Sequence, residues 1–297
     1  MRRSRYSAAF ALALLLAGCG NVETDRVEWT VMGTVAALQT RGEHIGRDGS
    51  SPAALAAAMG VAKDVEAKLN AHSPSSELSG LAAFGEDWIL AHCDAAPGGL
   101  VRTRPCYEAA FRLAKASGGA FNPRWRGEGT LDLGAIAKGF AADAAADAAA
   151  EHLRGGAVDT LLDIGGNLKA LRGVWRTGVK DPGGRGFAAT VELREGEALA
   201  TSATYYRGGH IFDGRTGKPV ANGVASVTVL CSSAMWADGL STTLFVLGPE
   251  EGTRFISSRF PDLAGGIPAS ALWILDDGRQ VRCDPDNRFL RTGAGRH

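Results

Sequence analysis

The spacing of apolar positions changes several times along this chain, and each change predicts a different element. Residues 27–39 read as a strand interrupted at Met32-Gly33-Thr34. Over 52–71, Ala, Val and Leu recur at helical spacing, and Asn70, His72, Ser73 and Pro74 mark the end. Ser76-Glu77-Leu78-Ser79 opens a loop or short helix. A second helix is expected over 107–116, stopped by Gly118-Gly119, and a third over about 135–153, stopped by Gly155-Gly156. The many alanines of the third predict close packing against a sheet.

Short strands follow at 160–163, 168–172, 175–179, 188–193 and 198–201, with Gly165-Gly166-Asn167 joining the first two as a hairpin-like turn. A β-branched strand at 224–231 leads to helices at 234–247 and 249–259. A hairpin of 271–275 and 279–283 closes about Asp276-Asp277-Gly278. Long helices alternating with antiparallel-looking hairpins predict an α+β class, with mixed or antiparallel sheets and packed helices.

Composition adds a compartment and removes some partners. Arg2, Arg3 and Arg5 precede the apolar run 8–17 and Leu16-Ala17-Gly18-Cys19, which reads as an export signal. The small residues before the cysteine resemble a bacterial lipobox, so cleavage before Cys19 and lipidation there are expected. The reading is a signal peptide at 1–18, a tether at 19–25 and a body at 26–297. The apolar run is short for a membrane span. The expected protein is a membrane-anchored lipoprotein facing the periplasm or another extracytoplasmic space.

Losing three arginines and no acid moves the formal net charge from zero to about minus three. With no basic cluster interleaved with aromatics, nucleic acid is excluded as a partner. A hydrophobic content of 45% supports a well-packed body. Cys93, Cys106, Cys231 and Cys283 follow the lipobox cysteine, and a Cys93–Cys106 disulfide is expected in an oxidising compartment, although spacing leaves the connectivity open. The absence of a CxxC pair or zinc-type Cys/His spacing argues against a soft metal.

Two segments carry candidate chemistry. Leu131-Asp132-Leu133-Gly134-Ala135-Ile136-Ala137-Lys138-Gly139 puts a carboxylate, a glycine turn and a lysine at a helix start, where outward-pointing N–H groups would suit a phosphorylated ligand. The same residues also fit an ordinary helix-start aspartate and a solvated lysine. Asp238 and Thr242, four apart, share one helix face and offer two hard oxygens suited to magnesium. They also fit a threonine bonded back to the carbonyl four residues earlier beside a solvated carboxylate. The Ala135 carbonyl at the glycine turn would be a further oxygen ligand.

In their order and spacing these segments resemble the FAD:protein FMN transferase family, the ApbE-type flavin transferases. The resemblance rests on Met32-Gly33-Thr34, Ser76-Glu77-Leu78-Ser79, Gly119-Ala120-Phe121-Asn122-Pro123, residues 131–139 and Asp163-Ile164-Gly165-Gly166-Asn167. Thr201-Ser202, His210-Ile211-Phe212-Asp213 with Thr216-Gly217, and Ala237-Asp238 to Thr242 complete it. It implies an ApbE-like fold and a magnesium-dependent enzyme that takes FAD, releases AMP and moves FMN onto a threonine or serine of another exported protein, an electron-transfer subunit by family habit.

By the same resemblance Ala135, Asp238 and Thr242 would hold Mg2+. Met32, Ala120, Phe121, Asn122, Asp132, Lys138 and Ile211 would line the FAD site. His210 would stand beside the reacting centre as base or proton shuttle, or serve only as a hairpin residue. Asp213 would bond that histidine or shape the Arg215-Thr216-Gly217 turn. Two departures stand out: His72 occupies a cofactor-contacting place where the family often has tyrosine, and the connection 124–130 is shorter than the family's. They leave an FAD diphosphatase, or a non-catalytic flavin-binding lipoprotein, as alternatives.

Overall fold

The computed structural model describes residues 24–41, 50–95, 99–153, 158–184, 186–204 and 211–291. Strands β1 (Thr24–Val31) and β2 (Thr34–Arg41) form the first hairpin. Its two-residue loop is Met32-Gly33, with φ of 53° and 66°. Positive φ at both positions matches the primed turns that suit the right-handed strand twist. Then come α1 (Ser50–Leu69), α2 (Glu77–Leu81), α3 (Glu86–His92), α4 (Arg104–Ala116) and α5 (Ala137–His152). Ser76 caps α2 by accepting from the Ser79 N–H.

The chain continues through β3 (Asp159–Ile164), β4 (Asn167–Arg172), β5 (Trp175–Lys180), β6 (Phe187–Leu193) and β7 (Ala198–Ala203). The short pair β8 (Phe212–Asp213) and β9 (Lys218–Pro219) precedes β10 (Val224–Cys231), α6 (Ala234–Ser258) and α7 (Phe260–Leu263). The last strands are β11 (Ala269–Leu275), β12 (Gln280–Cys283) and β13 (Phe289–Arg291).

Eight strands form an antiparallel sheet in the order β1-β2-β3-β4-β7-β10-β11-β12, and β13-β6-β5 form a second sheet. Side-chain alternation explains the layering. Leu162, Ile164, Ala200, Val227, Val229 and Trp273 pack on the helices, whereas Leu161, Leu199, Leu230, Leu272 and Ile274 pack against Trp175, Val191 and Phe289 of the small-sheet side. With both faces covered, all eight residues of β10 are buried.

The α+β expectation holds, and most elements fall where the periodicity put them. The two helices expected at 234–247 and 249–259 are present as the two arms of α6, separated at Gly248, whose φ of 72° and ψ of 176° are non-helical, with Pro249 next. Unforeseen were α3, α7, the β8–β9 pair and β13. With seven residues and one buried position, Ile89, α3 offers too little periodicity to read.

The expected Cys93–Cys106 disulfide is not present. Both thiols are free: Cys93 directs Sγ to the Leu90 carbonyl at 3.7 Å, and Cys106 is wholly buried on α4. Among the described residues no helix is long and apolar enough to cross a membrane. Cys19, the signal segment and most of the tether lie outside the described residues.

Candidate active site

The site is built where α5 meets α6. Leu131, Leu133 and Ile136 are buried and anchor the chain on either side of exposed Gly134. Asp132 shapes the turn: its Oδ1 accepts the Gly134 N–H at 2.9 Å, a local aspartate turn. Its Oδ2 accepts from Trp125 Nε1 at 3.2 Å and lies 3.4 Å from Arg126 Nη2. Asp132 is therefore a turn and side-chain hub; α5 itself starts at Ala137 with no side-chain cap.

That start corrects one expectation. The N–H groups of Ile136 and Ala137 donate to the Leu133 carbonyl, at 2.9 and 2.8 Å, and the Gly139 N–H donates to Asp238 Oδ2 at 2.9 Å. These three do not point outward, because a tight turn precedes the helix and α6 lies against its first turn. Gly139 is the third residue of α5, among the helix-start donors that have no acceptor within their own helix, and Asp238 supplies one from α6.

Gly139 makes the approach of the two helices physically possible. A Cβ there would lie 2.1 Å from the Ala234 carbonyl oxygen and 2.7 Å from Asp238 Cβ. The seam is clasped again one turn along. Asp143 accepts from the N–H groups of Ala234 and Met235, each at 2.9 Å, and from Ser233 Oγ at 2.7 Å, while Lys169 stands 3.3 Å away. A carboxylate on these first α6 groups also suits the positive end of that helix.

Asp238 is 6% exposed. Burial pushes its carboxyl upward, opposed by the charge of Lys138, the Gly139 N–H and the Lys138 hydrogen bond. Lys138 Nζ lies 3.3 and 3.2 Å from the two Asp238 oxygens and 3.3 Å from the Gly134 carbonyl. The solvated-carboxylate alternative is thereby excluded. So is back-bonding by Thr242: its Oγ1 contacts Ser202 Oγ at 3.0 Å, while Ser241 Oγ takes the Asp238 carbonyl at 2.9 Å.

Asp238 and Thr242 offer hard oxygens here, one carboxylate and one hydroxyl, and half-buried Ala135 follows the Gly134 turn. Among the described residues no group of three or more His, Cys, Asp or Glu converges as a metal site. This donor set fits a magnesium ion, which commonly takes one or two carboxylates and leaves positions for water and phosphate.

A second wall adjoins Asp132. Asn122 Nδ2 donates to the Gly214 carbonyl at 3.1 Å, and the Gly214 N–H donates to Ala120 O at 3.1 Å. Gly214 is required at this crossing, since a Cβ would sit 2.4 Å from Asn122 Cβ. Phe212 stacks on Trp125 with ring centroids 4.1 Å apart, and Arg126 lies over Trp125 at 4.6 Å. Arg124 fastens this connection by donating to the carbonyls of Ala82 and Thr130 at 2.8 and 3.0 Å.

The structure thus brings Asp132, Lys138, Asp238 and Thr242 into one region, and Ala120, Phe121, Asn122 and Ile211 into adjoining segments. Ala120, Phe121 and Ile211 are buried. Met32 is half-buried on the core and donates its N–H to Glu66 Oε1 at 2.7 Å, and His72 is exposed with its N–H on Asn70 Oδ1. Among the described residues neither hydrogen-bonds to the Asp132–Asp238 cluster. Asp213 holds Arg215 through both oxygens, and that guanidinium keeps its carboxyl below the usual range. Its role here is in the turn. His210 lies outside the described residues.

Sequence reading assigned no role to Gly139, Asp143, Trp125 or Ser202. A glycine inside an alanine-rich helix was the available signal for the first, since it weakens a helix unless close packing requires it.

A model of the ApbE family matches residues 124–265. Over 165 residues the chain is 38% identical to an FAD:protein FMN transferase of Klebsiella pneumoniae (strain 342), covering 52% of this chain and 51% of that one. Over 172 residues it is 35% identical to an FAD:protein FMN transferase of Treponema pallidum (strain Nichols), covering 50% and 44%. The matches span about half the length of these curated relatives. The solved flavin transferase ApbE from Vibrio cholerae superposes with a TM-score of 0.68 at 22% identity, covering 91% of this chain and 100% of that one. The ApbE protein from Thermotoga maritima gives 0.69 at 22% identity, with the same coverages. At that identity the likeness establishes the fold.

Proposed function

We infer from this chain's place among the ApbE-type proteins, in sequence over residues 124–265 and in fold, that it is an FAD:protein FMN transferase acting with Mg2+. The acceptor is a threonine or serine hydroxyl of an exported protein, by family habit an electron-transfer subunit. Lipid anchoring at Cys19 on the extracytoplasmic side belongs to the same proposal.

In the transfer, the acceptor oxygen forms a bond to the FMN-side phosphorus of FAD, the bond to the bridging oxygen breaks, and AMP leaves with that oxygen. The hydroxyl proton passes to a base, for which His210 is the candidate. Asp238, Thr242 and the Ala135 carbonyl would hold a magnesium ion, which would supply charge neutralisation on the diphosphate.

The chain's own residues do the rest. Lys138 brings a positive charge to the mouth of the site, and the Gly139 N–H and Lys138 favour the ionised form of Asp238. Asp132, held by Trp125 and Gly134, keeps the glycine turn in shape. Asn122 and Gly214 fix the adjoining wall, where Trp125 and Phe212 offer a stacked aromatic surface for a flavin or adenine ring.

The observation that carries this reading is the buried Asp238 carboxylate, held across the α5–α6 seam by the Gly139 N–H and Lys138 and sharing a helix face with Thr242. The test is incubation with FAD, Mg2+ and an acceptor domain bearing an exposed threonine. Flavin fluorescence that stays with the acceptor after denaturation is expected. FMN and AMP accumulating without labelled acceptor would mean a diphosphatase, and neither product would mean a flavin binder.

A further inference from the structure

We infer that Ser202, acting through a one-way chain of hydroxyl groups, orients Thr242 as a cation ligand; the inference deepens the magnesium reading above and depends on it. Ser202 lies on β7 and reaches α6, where its Oγ contacts Ser241 Oγ at 2.8 Å and Thr242 Oγ1 at 3.0 Å. Ser241 Oγ also lies 2.9 Å from the Asp238 carbonyl oxygen.

Three contacts are made by three hydroxyls, each with one proton, and that determines every direction. A carbonyl only accepts, so Ser241 donates to Asp238 O. Its proton being used, Ser241 accepts from Ser202. Ser202 in turn accepts from Thr242. The Thr242 proton therefore points to the sheet, and its lone pairs are left for a cation.

The neighbouring residue shows what happens without such a chain. Thr243 donates to the carbonyl four residues back, Gly239 O, at 2.8 Å, as helical threonines commonly do. Thr242 is spared that fate because Ser241 occupies the corresponding Asp238 carbonyl and Ser202 takes the threonine proton. The relay is protected: Ser241 is fully buried, and β7 is held between β4 and β10. Thr201, one residue earlier, bonds Thr228 instead, as strand alternation requires. Ser202 is a positioning residue, since it acts on the ligand and not on the ion.

Mn2+ binding to the purified whole chain, read by electron paramagnetic resonance of the free ion, tests this without turnover. Ser202→Ala is expected to weaken Mn2+ binding about tenfold, the scale on which such orienting partners act. Ser202→Thr, which keeps the hydroxyl, should restore it to within about threefold. The melting temperature and metal-free FAD binding of both variants should stay near wild type. Ser241→Ala should also weaken Mn2+ binding, because it removes the first donor. Wild-type affinity in Ser202→Ala, or loss that Ser202→Thr does not repair, overturns the relay while leaving the cation site standing. No Mn2+ binding by wild type, or equal binding by Asp238→Ala, overturns the cation site itself.

Discussion

The α5–α6 seam and the β3–β4 hairpin each bury one aspartate to the same degree, 6% exposed for both Asp238 and Asp163. Each carboxylate accepts the N–H of a glycine, Gly139 at 2.9 Å and Gly166 at 2.8 Å. Burial pushes both carboxyls upward. What separates them is the origin of their partners. Gly166 lies three residues from Asp163, and the bond closes a hairpin whose two glycines have φ of 61° and 89°. Gly139 belongs to another helix, and Asp238 accepts one of that helix's unpartnered first-turn donors across the seam.

Their cations differ as well. Lys138 touches Asp238 at 3.2 Å, whereas Arg26 is 3.9 Å from Asp163. Burial and a raised pKa are therefore insufficient to mark a reactive site. The informative signs are a cation at contact distance and a backbone donor supplied by a separate element.

The sharpest way to break this comparison is the same isosteric change at both places. Asp238→Asn is expected to lower FMN transfer about a thousandfold, equivalent to roughly 4 kcal/mol of barrier. Asp163→Asn should stay within about threefold of wild type. Steady-state transfer assays on both variants decide it, and similar losses would erase the distinction.

Next in size is Gly139→Ala. Its Cβ cannot coexist with the Ala234 carbonyl at 2.1 Å, so the helices must separate, at an expected loss of about 3 kcal/mol in urea unfolding. A stability close to wild type would show that the seam is looser than it stands here.

The hairpin has its own signature, in pH. The Asp163 carboxyl is pushed up to about 6, mainly by burial, against an unfolded value near 3.9. Between those values the folded chain holds a proton that the unfolded chain has released. Stability from this group is thus fully present below about pH 4 and is lost as the pH rises through 6, by on the order of 2 to 3 kcal/mol. Asp163→Asn should flatten that part of the urea-unfolding profile relative to wild type. An unchanged slope would show that Asp163 titrates normally.

Much of the fold was legible because its signals are local. β-branched residues marked β10, the Asp276-Asp277-Gly278 turn marked the hairpin that contains β11, Ala, Val and Leu at helical spacing marked α1, and an alanine-rich run marked α5. The candidate site was legible in pieces: Asp238 and Thr242 by helical spacing, Asp132, Gly134 and Lys138 by their order at a helix start. Asp143, Trp125 and Ser202 were not, since an aspartate within a helix, a tryptophan in a loop and a serine on a strand carry no local mark of what they will meet.

The sequence by itself determined the alternation of elements, the sharing of one helix face by Asp238 and Thr242, and the glycine turn before Lys138, all of which depend on residues within a few positions. Only the tertiary structure decided that the Gly139 N–H would serve Asp238, 99 residues away, and that Ser202 would receive the Thr242 proton across 40. The physical reason is range. Periodicity and turn chemistry act within a few residues of the chain, whereas a hydrogen bond between two packed elements exists only once their backbones have been brought within ångströms of each other.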